Sequence, residues 1–318
     1  MAQNSKLSLA GLTGKAQIAA ALSEAERHFG HQAIAALLDD AFEHPKGLVI
    51  GITGPPGAGK STLINALIAE WRAAGQTVAV VAVDPSSRMS GGALLGDRVR
   101  MRTDPDDSGV FVRSVAARGR LGGLADIAFP ASTLLRALYD RVIVESVGVG
   151  QSETDIATVS DTVVLCIQPA SGDSLQFMKA GIAEIPDIAV VTKADMGAAA
   201  MRALADLKGA LGLAHREPGV WEPECLAVAA VSDGESLRQL FAAFGRHEGW
   251  LREEGRLEAA RAAKAQWWME SELAAEFGRK GLELAKQGLL KLPVEKPFTA
   301  LRQALESVPA AFRTTPGA

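Results

Sequence analysis

Gly51-Ile52-Thr53-Gly54-Pro55-Pro56-Gly57-Ala58-Gly59-Lys60-Ser61-Thr62 decides the fold of this chain. From Gly54 it reads G-x-x-x-x-G-K-S, the P-loop pattern. The apolar run Leu48-Val49-Ile50 leads into it as a strand, and Leu63-Ile64-Asn65-Ala66-Leu67-Ile68 leaves it as a helix. Glycines let successive N–H groups turn toward phosphate oxygens, and the helix that follows aims its positive end at the same place. Gly54, Pro55, Pro56, Gly57, Ala58, Gly59, Lys60, Ser61 and Thr62 are therefore the candidate phosphate-binding residues. Lys60 can reach the β- and γ-phosphates, and the Ser61 hydroxyl can ligate Mg²⁺. A bare Gly/Pro turn lacks these flanks, so the stretch points to a nucleoside triphosphate site in an α/β fold.

Working outward, the next strand is Val78-Ala79-Val80-Val81-Ala82-Val83, apolar at every position as in parallel sheets covered on both faces. It runs into Asp84-Pro85-Ser86-Ser87. A carboxylate there lies at the ligand-binding edge of such a sheet, although Asp-Pro-Ser is also good turn chemistry. Residues 86–123 are rich in Gly and Arg, with Arg88, Arg98, Arg100, Arg102, Arg113, Arg118 and Arg120 around a short strand, Val110-Phe111-Val112. The expectation is a pair of switch-like loops beside the phosphates, with most of the arginines simply solvated.

A helix over 124–139 leads to the strand Arg141-Val142-Ile143-Val144, which ends in Glu145-Ser146-Val147-Gly148. This is an E-x-x-G form of the D-x-x-G switch: Glu145 holds the metal's water shell, and the Gly148 N–H meets the γ-phosphate. Val149 stands where a water-orienting Gln follows that glycine in Ras-like proteins, and Gln151 lies two residues further on. The strand 162–167 comes next, and then Ile188-Ala189-Val190-Val191-Thr192-Lys193-Ala194-Asp195. The last four residues are similar to the guanine-reading N-K-x-D pattern, with Thr192 in place of Asn. Asp195 can accept both guanine N1–H and the 2-amino group, and the Lys193 stem can lie over the base. The final strand, 225–230, ends at Ala229-Ala230, where a Ser-Ala loop would place Ala230 by the base.

Flanking segments read as helical. Ile18, Leu22, Ala25 and Phe29 share a face in the lead-in, which continues through Ile34, Leu37 and Leu38 to Pro45. His28 and His31 are three apart without an accompanying carboxylate or Cys, so they read as surface histidines. Beyond Arg246, Ala260, Ala263, Trp267, Ala274 and Phe277 fall on one helical face, interrupted by Glu270. Such a stripe either packs on the nucleotide domain or pairs with a second subunit. The expected organisation is a helical extension over 1–45, a P-loop domain over 46–247 and a helical arm over 248–318. The expected fold is a mostly parallel sheet with helices on both faces.

Composition narrows the class. A net charge of −4 over 318 residues gives no case for nucleic acid or an anionic membrane. No apolar run is long enough for a bilayer span and no targeting pattern opens the chain, which predicts a cytoplasmic protein. Cys166 and Cys225 sit in separate strand-like runs and read as free thiols.

These stretches together resemble the MeaB/ArgK-type GTPases, bacterial relatives of the human methylmalonic aciduria type A protein. The resemblance rests on residues 51–62, Ala82-Val83-Asp84-Pro85-Ser86-Ser87, residues 91–98, the run Val144-Glu145-Ser146-Val147-Gly148-Val149-Gly150-Gln151-Ser152-Glu153-Thr154, and Gly172-Asp173-Ser174-Leu175-Gln176 through Lys179 and Gly181. It implies a GTP-hydrolysing chaperone for an adenosylcobalamin-dependent acyl-CoA mutase, gating cofactor loading and protecting the mutase. It also implies GTP or GDP as bound nucleotide, Mg²⁺ near Ser61 with Asp84, Asp97 and Glu145 around it, a partner-sensing switch over Gln168 to Gly181 carrying Asp173 and Lys179, and a homodimer formed through C-terminal helices. Thr192 and Ala229 depart from the pattern. Two other classes stay open: a metal-insertion GTPase of the hydrogenase or urease type, which the scattered five histidines and missing C-x-x-C disfavour, and an ATP-dependent kinase or transport ATPase.

Overall fold

A computed structural model describes residues 7–27, 31–85, 104–117, 125–146, 152–169, 184–213, 219–287 and 290–313. Its frame is a seven-stranded sheet in which every strand pairing is parallel. The strands are β1 (Leu48–Thr53), β2 (Val78–Pro85), β3 (Val110–Ala117), β4 (Arg141–Glu145), β5 (Thr162–Ile167), β6 (Ile188–Thr192) and β7 (Glu224–Val228). β1, β5 and β6 are buried at every position, which explains their unbroken apolar runs.

The spatial order is β3-β2-β4-β1-β5-β6-β7. From β1 the chain builds one half of the sheet, then crosses to build the other half beginning at β5. The change of direction falls at β1, and the loop leaving its C-terminal end sits in the crevice this opens. Register brings Glu145 of β4 opposite Ile52 of β1 and Ala82 of β2, so the β4 carboxylate lies at the same edge as the P-loop.

Side-chain alternation sorts the helices onto two faces. Ile50, Ile52, Val80, Ile143 and Val164 bury against α3 (Lys60–Ala73) and α7 (Gly234–Arg252), where Trp71 meets Phe241 and Phe244 at ring distances of 5.5 and 5.8 Å. The opposite residues, Val49, Val81, Val142 and Val144, face one large core. That core joins α1 (Lys15–Arg27), α2 (Gln32–Glu43), α4 (Ala125–Leu138), α5 (Ser152–Val159), α8 (Arg256–Lys286) and α9 (Pro297–Arg313). α6 (Ala198–Leu211) covers Leu165, Ile167, Ala189 and Val191 through a smaller cluster. The lead-in and the C-terminal helices thus share a core. Asp39 of α2 fastens them by accepting hydrogen bonds from Phe298 N (2.9 Å) and Thr299 N (3.1 Å) in the first turn of α9.

Two expectations are corrected. Arg113 is not a loop arginine: it lies in β3 and donates to Glu26 Oε1 (2.7 Å), Ser23 Oγ (3.0 Å) and Ala19 O (3.0 Å) of α1. The buried face of α8 is also rotated from the expected one. Leu257, Arg261, Ala265, Trp268, Met269 and Leu273 turn inward, whereas Ala263 is exposed and Trp267 keeps 42% of its surface. Buried charge explains the rotation. Arg261 forks onto Asp161, just before β5, at 2.9 and 2.7 Å and reaches Gly47 O at 2.9 Å, while Lys264 donates to Ser160 O. Two basic residues lie on the packed side, so an apolar-only count misses it.

Candidate nucleotide site

The P-loop leaves β1 through a turn that excludes side chains. A Cβ on Gly54 (φ 134) would stand 2.0 Å from Cys166 O of β5. Gly57 and Gly59 are left-handed at φ 80 and 82, and Gly59 caps α3. Lys60 opens the helix and is 8% exposed. Its ammonium donates to Gly54 O (2.7 Å) and Pro55 O (3.1 Å), which curls the side chain over the loop. The adjacent Ser61 hydroxyl donates to Glu145 Oε1 at 3.3 Å. Pro56, Gly57, Gly59, Lys60, Ser61, Thr62, Ala82, Val83, Glu145 and Ser146 line one cleft. Backbone N–H groups, a helix N-terminus and an ammonium converge there, the chemistry of a polyphosphate site.

Two buried hydroxyls hold the cleft's rear wall. Ser146 Oγ donates to Thr53 Oγ1 (2.8 Å) and Ser146 N donates to Ile52 O (3.0 Å), which clamps the end of β4 to the end of β1. Sequence reading passed over both, because a Ser and a Thr 93 positions apart carry no local signal.

At the base end, Thr192 is 5% exposed, and its hydroxyl lies 2.6 Å from Ala58 O of the P-loop and 3.0 Å from Ile167 O of β5. The Thr in the position of Asn therefore fastens β6 to the phosphate loop. Lys193 adopts a left-handed backbone (φ 54, ψ 43), and its ammonium donates to Gly57 O (3.2 Å) and Gln168 Oε1 (2.7 Å). Asp195 follows in a 3-10 turn and is exposed. β7 delivers Ala229 and Ala230 to the same edge. Ser236 Oγ of α7 accepts from Ala229 N (3.1 Å) and donates to Asp233 O (2.9 Å), so a helix hydroxyl braces the turn where the loop's own Ser is missing. Cys166, buried in β5, has its thiol pushed up to about 12 by burial and takes no part in reactive chemistry. Both cysteines are free thiols.

Ser61 and Glu145 are the oxygen donors that the described residues bring together for a metal. Among those residues no group of three or more His, Cys, Asp or Glu converges on one point. One hydroxyl and one carboxylate beside a phosphate site fit Mg²⁺, which keeps several waters and shares its shell with phosphate oxygens. The backbone of Asp84 ends β2 at the same edge, opposite Ala116, but its side chain is outside the described residues. Asp97, Gly148, Gln151, Asp173 and Lys179 lie outside the described residues, as do Arg98, Arg118, Arg120 and His28. No described helix is long and apolar enough to cross a membrane.

Comparison with known proteins adds a family to this geometry. The family model described as Methylmalonyl Co-A mutase-associated GTPase MeaB matches residues 17–280. The GTPase ArgK of Escherichia coli is 34% identical over 94% of this chain and 94% of that protein. The mitochondrial methylmalonic aciduria type A homolog of Mus musculus is 38% identical over 69% of this chain and 54% of its own length. A solved structure described as LAO/AO transport system kinase superposes with a TM-score of 0.65 at 28% identity, covering 95% of this chain and 96% of that one.

Proposed function

The chain belongs to the family of methylmalonyl-CoA mutase-associated GTPases, MeaB, and from that premise we propose a slow GTP-driven switch that serves a mutase. The protein is a GTPase of the MeaB/ArgK type. Its client in this reading is an adenosylcobalamin-dependent acyl-CoA mutase in the cytoplasm, whose cofactor loading and protection it gates. The single observation that carries the client is the family description across residues 17–280.

The chemistry assigned to each residue follows from its position. Lys60 exchanges the Gly54 and Pro55 carbonyls for the β- and γ-phosphates, a trade of neutral acceptors for anionic ones. The amides from Gly54 through Thr62 enclose the phosphates. Ser61, now bonded to Glu145, would hold Mg²⁺ together with Glu145, with Asp84 and Asp97 as the further carboxylates the resemblance implies around it. Mg²⁺ held there would supply neutralisation of the charge that develops on the phosphate oxygens. In the E-x-x-G reading the Gly148 N–H would meet the γ-phosphate. Asp195 reads the guanine edge, Lys193 covers the ring and Ala230 closes the pocket. Val149 has no side-chain group that can hydrogen-bond a water and Gln151 lies two positions further on, so basal turnover is expected to be slow.

Asp173 and Lys179 form the partner-sensing switch in this reading. The exposed stripe through Ala263 and Trp267, on the side of α8 away from the core, is the face through which a homodimer forms. The test is co-elution of the purified chain with an adenosylcobalamin-dependent acyl-CoA mutase, in GDP and in a non-hydrolysable GTP analogue. A complex whose affinity differs between the two nucleotides is the expected result, and separate elution in both contradicts the proposal. The transport kinase structure carries a second reading, phosphoryl transfer to another protein or solute. In that case γ-phosphate would appear on an acceptor rather than in solution.

A further inference from the structure

Three chain segments meet below the base site through two parallel links. Ile167, the last residue of β5, and Ala58 of the P-loop both present carbonyls to the Thr192 hydroxyl. One residue along each segment, Gln168 and Gly57 both present oxygens to the Lys193 ammonium, at 2.7 and 3.2 Å. The first link is buried and the second faces the site. Gln168 also sits directly over the loop: a Cβ on Gly57 would lie 3.9 Å from its amide oxygen and 4.0 Å from its amide nitrogen. Lys193 enters this junction with a left-handed backbone that a residue bearing a Cβ seldom adopts. Something must hold so long and exposed a side chain in one place, since a free lysine stem samples many rotamers. Of its hydrogen bonds to Gly57 and Gln168, the one to Gln168 is the shorter.

We infer that Gln168 is a positioning residue for the nucleotide base: its amide oxygen fixes the Lys193 ammonium against Gly57, and so lays the Lys193 stem across the floor of the base pocket. The inference rests on the GTPase reading of this site and adds to it a role in base binding for the first residue of the expected partner-sensing switch, 168–181. The role assigned to Gln168 runs through Lys193 and the base, so it is expected to act on binding rather than on the chemical step. Its geometric requirement is an acceptor at the end of a two-carbon stem, which glutamate also supplies.

The test compares wild type, Gln168→Ala and Gln168→Glu for GDP affinity, GTP turnover and competition by inorganic tripolyphosphate, which fills the phosphate loop without a base. Loss of one hydrogen bond to an exposed ammonium predicts a weakening of GDP binding of about three- to tenfold in Gln168→Ala. The KM for GTP rises by the same factor, kcat stays within about twofold, and tripolyphosphate competes equally against both proteins. Gln168→Glu restores GDP affinity. Unchanged GDP affinity in Gln168→Ala overturns the inference. So does an equal loss for tripolyphosphate, a fall in kcat at constant KM, or a Glu variant as weak as the Ala variant. A wild-type protein that binds GDP and ADP equally would instead overturn the guanine reading itself, whatever Gln168 does.

Discussion

At the scale of single residues, Lys60 and Ser61 spend their side-chain hydrogen bonds on the protein itself, on Gly54, Pro55 and Glu145. Those bonds keep the polar groups of a narrow cleft satisfied and hold them near where phosphate and metal are needed. The Ser61 bond is long at 3.3 Å and easily exchanged. Removing the hydroxyl leaves Glu145 as the one described oxygen donor for Mg²⁺. Ser61→Ala is therefore expected to weaken Mg²⁺-dependent GDP binding about tenfold or more, while binding measured in excess chelator changes little. Titration with and without Mg²⁺ checks this, and an equal loss in both conditions contradicts it. The phosphate residues were legible in the sequence because glycines, lysine and serine fall within one short stretch with fixed spacing. The hydroxyls that hold the cleft in shape were not. Thr53 with Ser146, and Ala229 with Ser236, are pairings set by tertiary approach or by a turn whose form no propensity announces.

At the scale of elements, α7 and α8 attach to the N-terminal edge of the sheet, opposite the nucleotide, through buried charge. Asp161 accepts from Val49 N at 2.8 Å as well as from Arg261, and the Arg261 guanidinium and its neighbours hold the carboxyl below the usual range despite burial. His247 of α7 lies beside this cluster, 2.9 Å from Thr162 Oγ1 and 3.4 Å from Asp187 Oδ1. Burial, and then the charge of Lys264, push its pKa down to about 4. The neutral ring thus accepts from Thr162 and donates to Asp187. Both shifts are downward, so both contributions are present at high pH and lost toward acid. For His247 the unfolded chain gains a proton below about pH 6.5 that the folded protein refuses. Stability is expected to fall by roughly 2 kcal/mol between pH 7 and pH 5, with the Asp161 contribution following below about pH 4. Denaturant unfolding across this range checks the slope, and His247→Asn should flatten it between pH 7 and pH 5. Undiminished slope in that variant contradicts the assignment. Asp161→Ala strands Arg261 and is expected to destabilise by about 3–5 kcal/mol. β1, β5 and β6 were readable because burial on both faces writes them as continuous apolar runs, whereas β3 outran its expected end because Arg113 and Ser114 break its apolar run. The phase of α8 was not, since Arg261 and Lys264 occupy its inner side and Trp267 and Trp268 are adjacent, each offering a plausible anchor.

At the scale of the whole molecule, the sheet's crossing point gathers the P-loop, the end of β4 and the ends of β5, β6 and β7 at one edge. The helices from both chain ends share a single core on one face. A site assembled from so many strand ends is well placed to convert the loss of one phosphate into movement of the loops between them. Val149, in the position of the water-orienting Gln, and the arginines of residues 86–123 set the kinetic expectation. The protein alone is expected to turn over slowly, and a partner that orders the catalytic groups to raise the rate by up to roughly 10³–10⁵ if it supplies or orders an arginine. The most direct test is steady-state GTP hydrolysis by the purified chain, with and without a purified adenosylcobalamin-dependent acyl-CoA mutase. A slow basal rate that rises with mutase, saturates with it and is blunted by Lys179→Ala is the predicted result. Fast hydrolysis by the chain alone, or a rate indifferent to the mutase, would contradict the account.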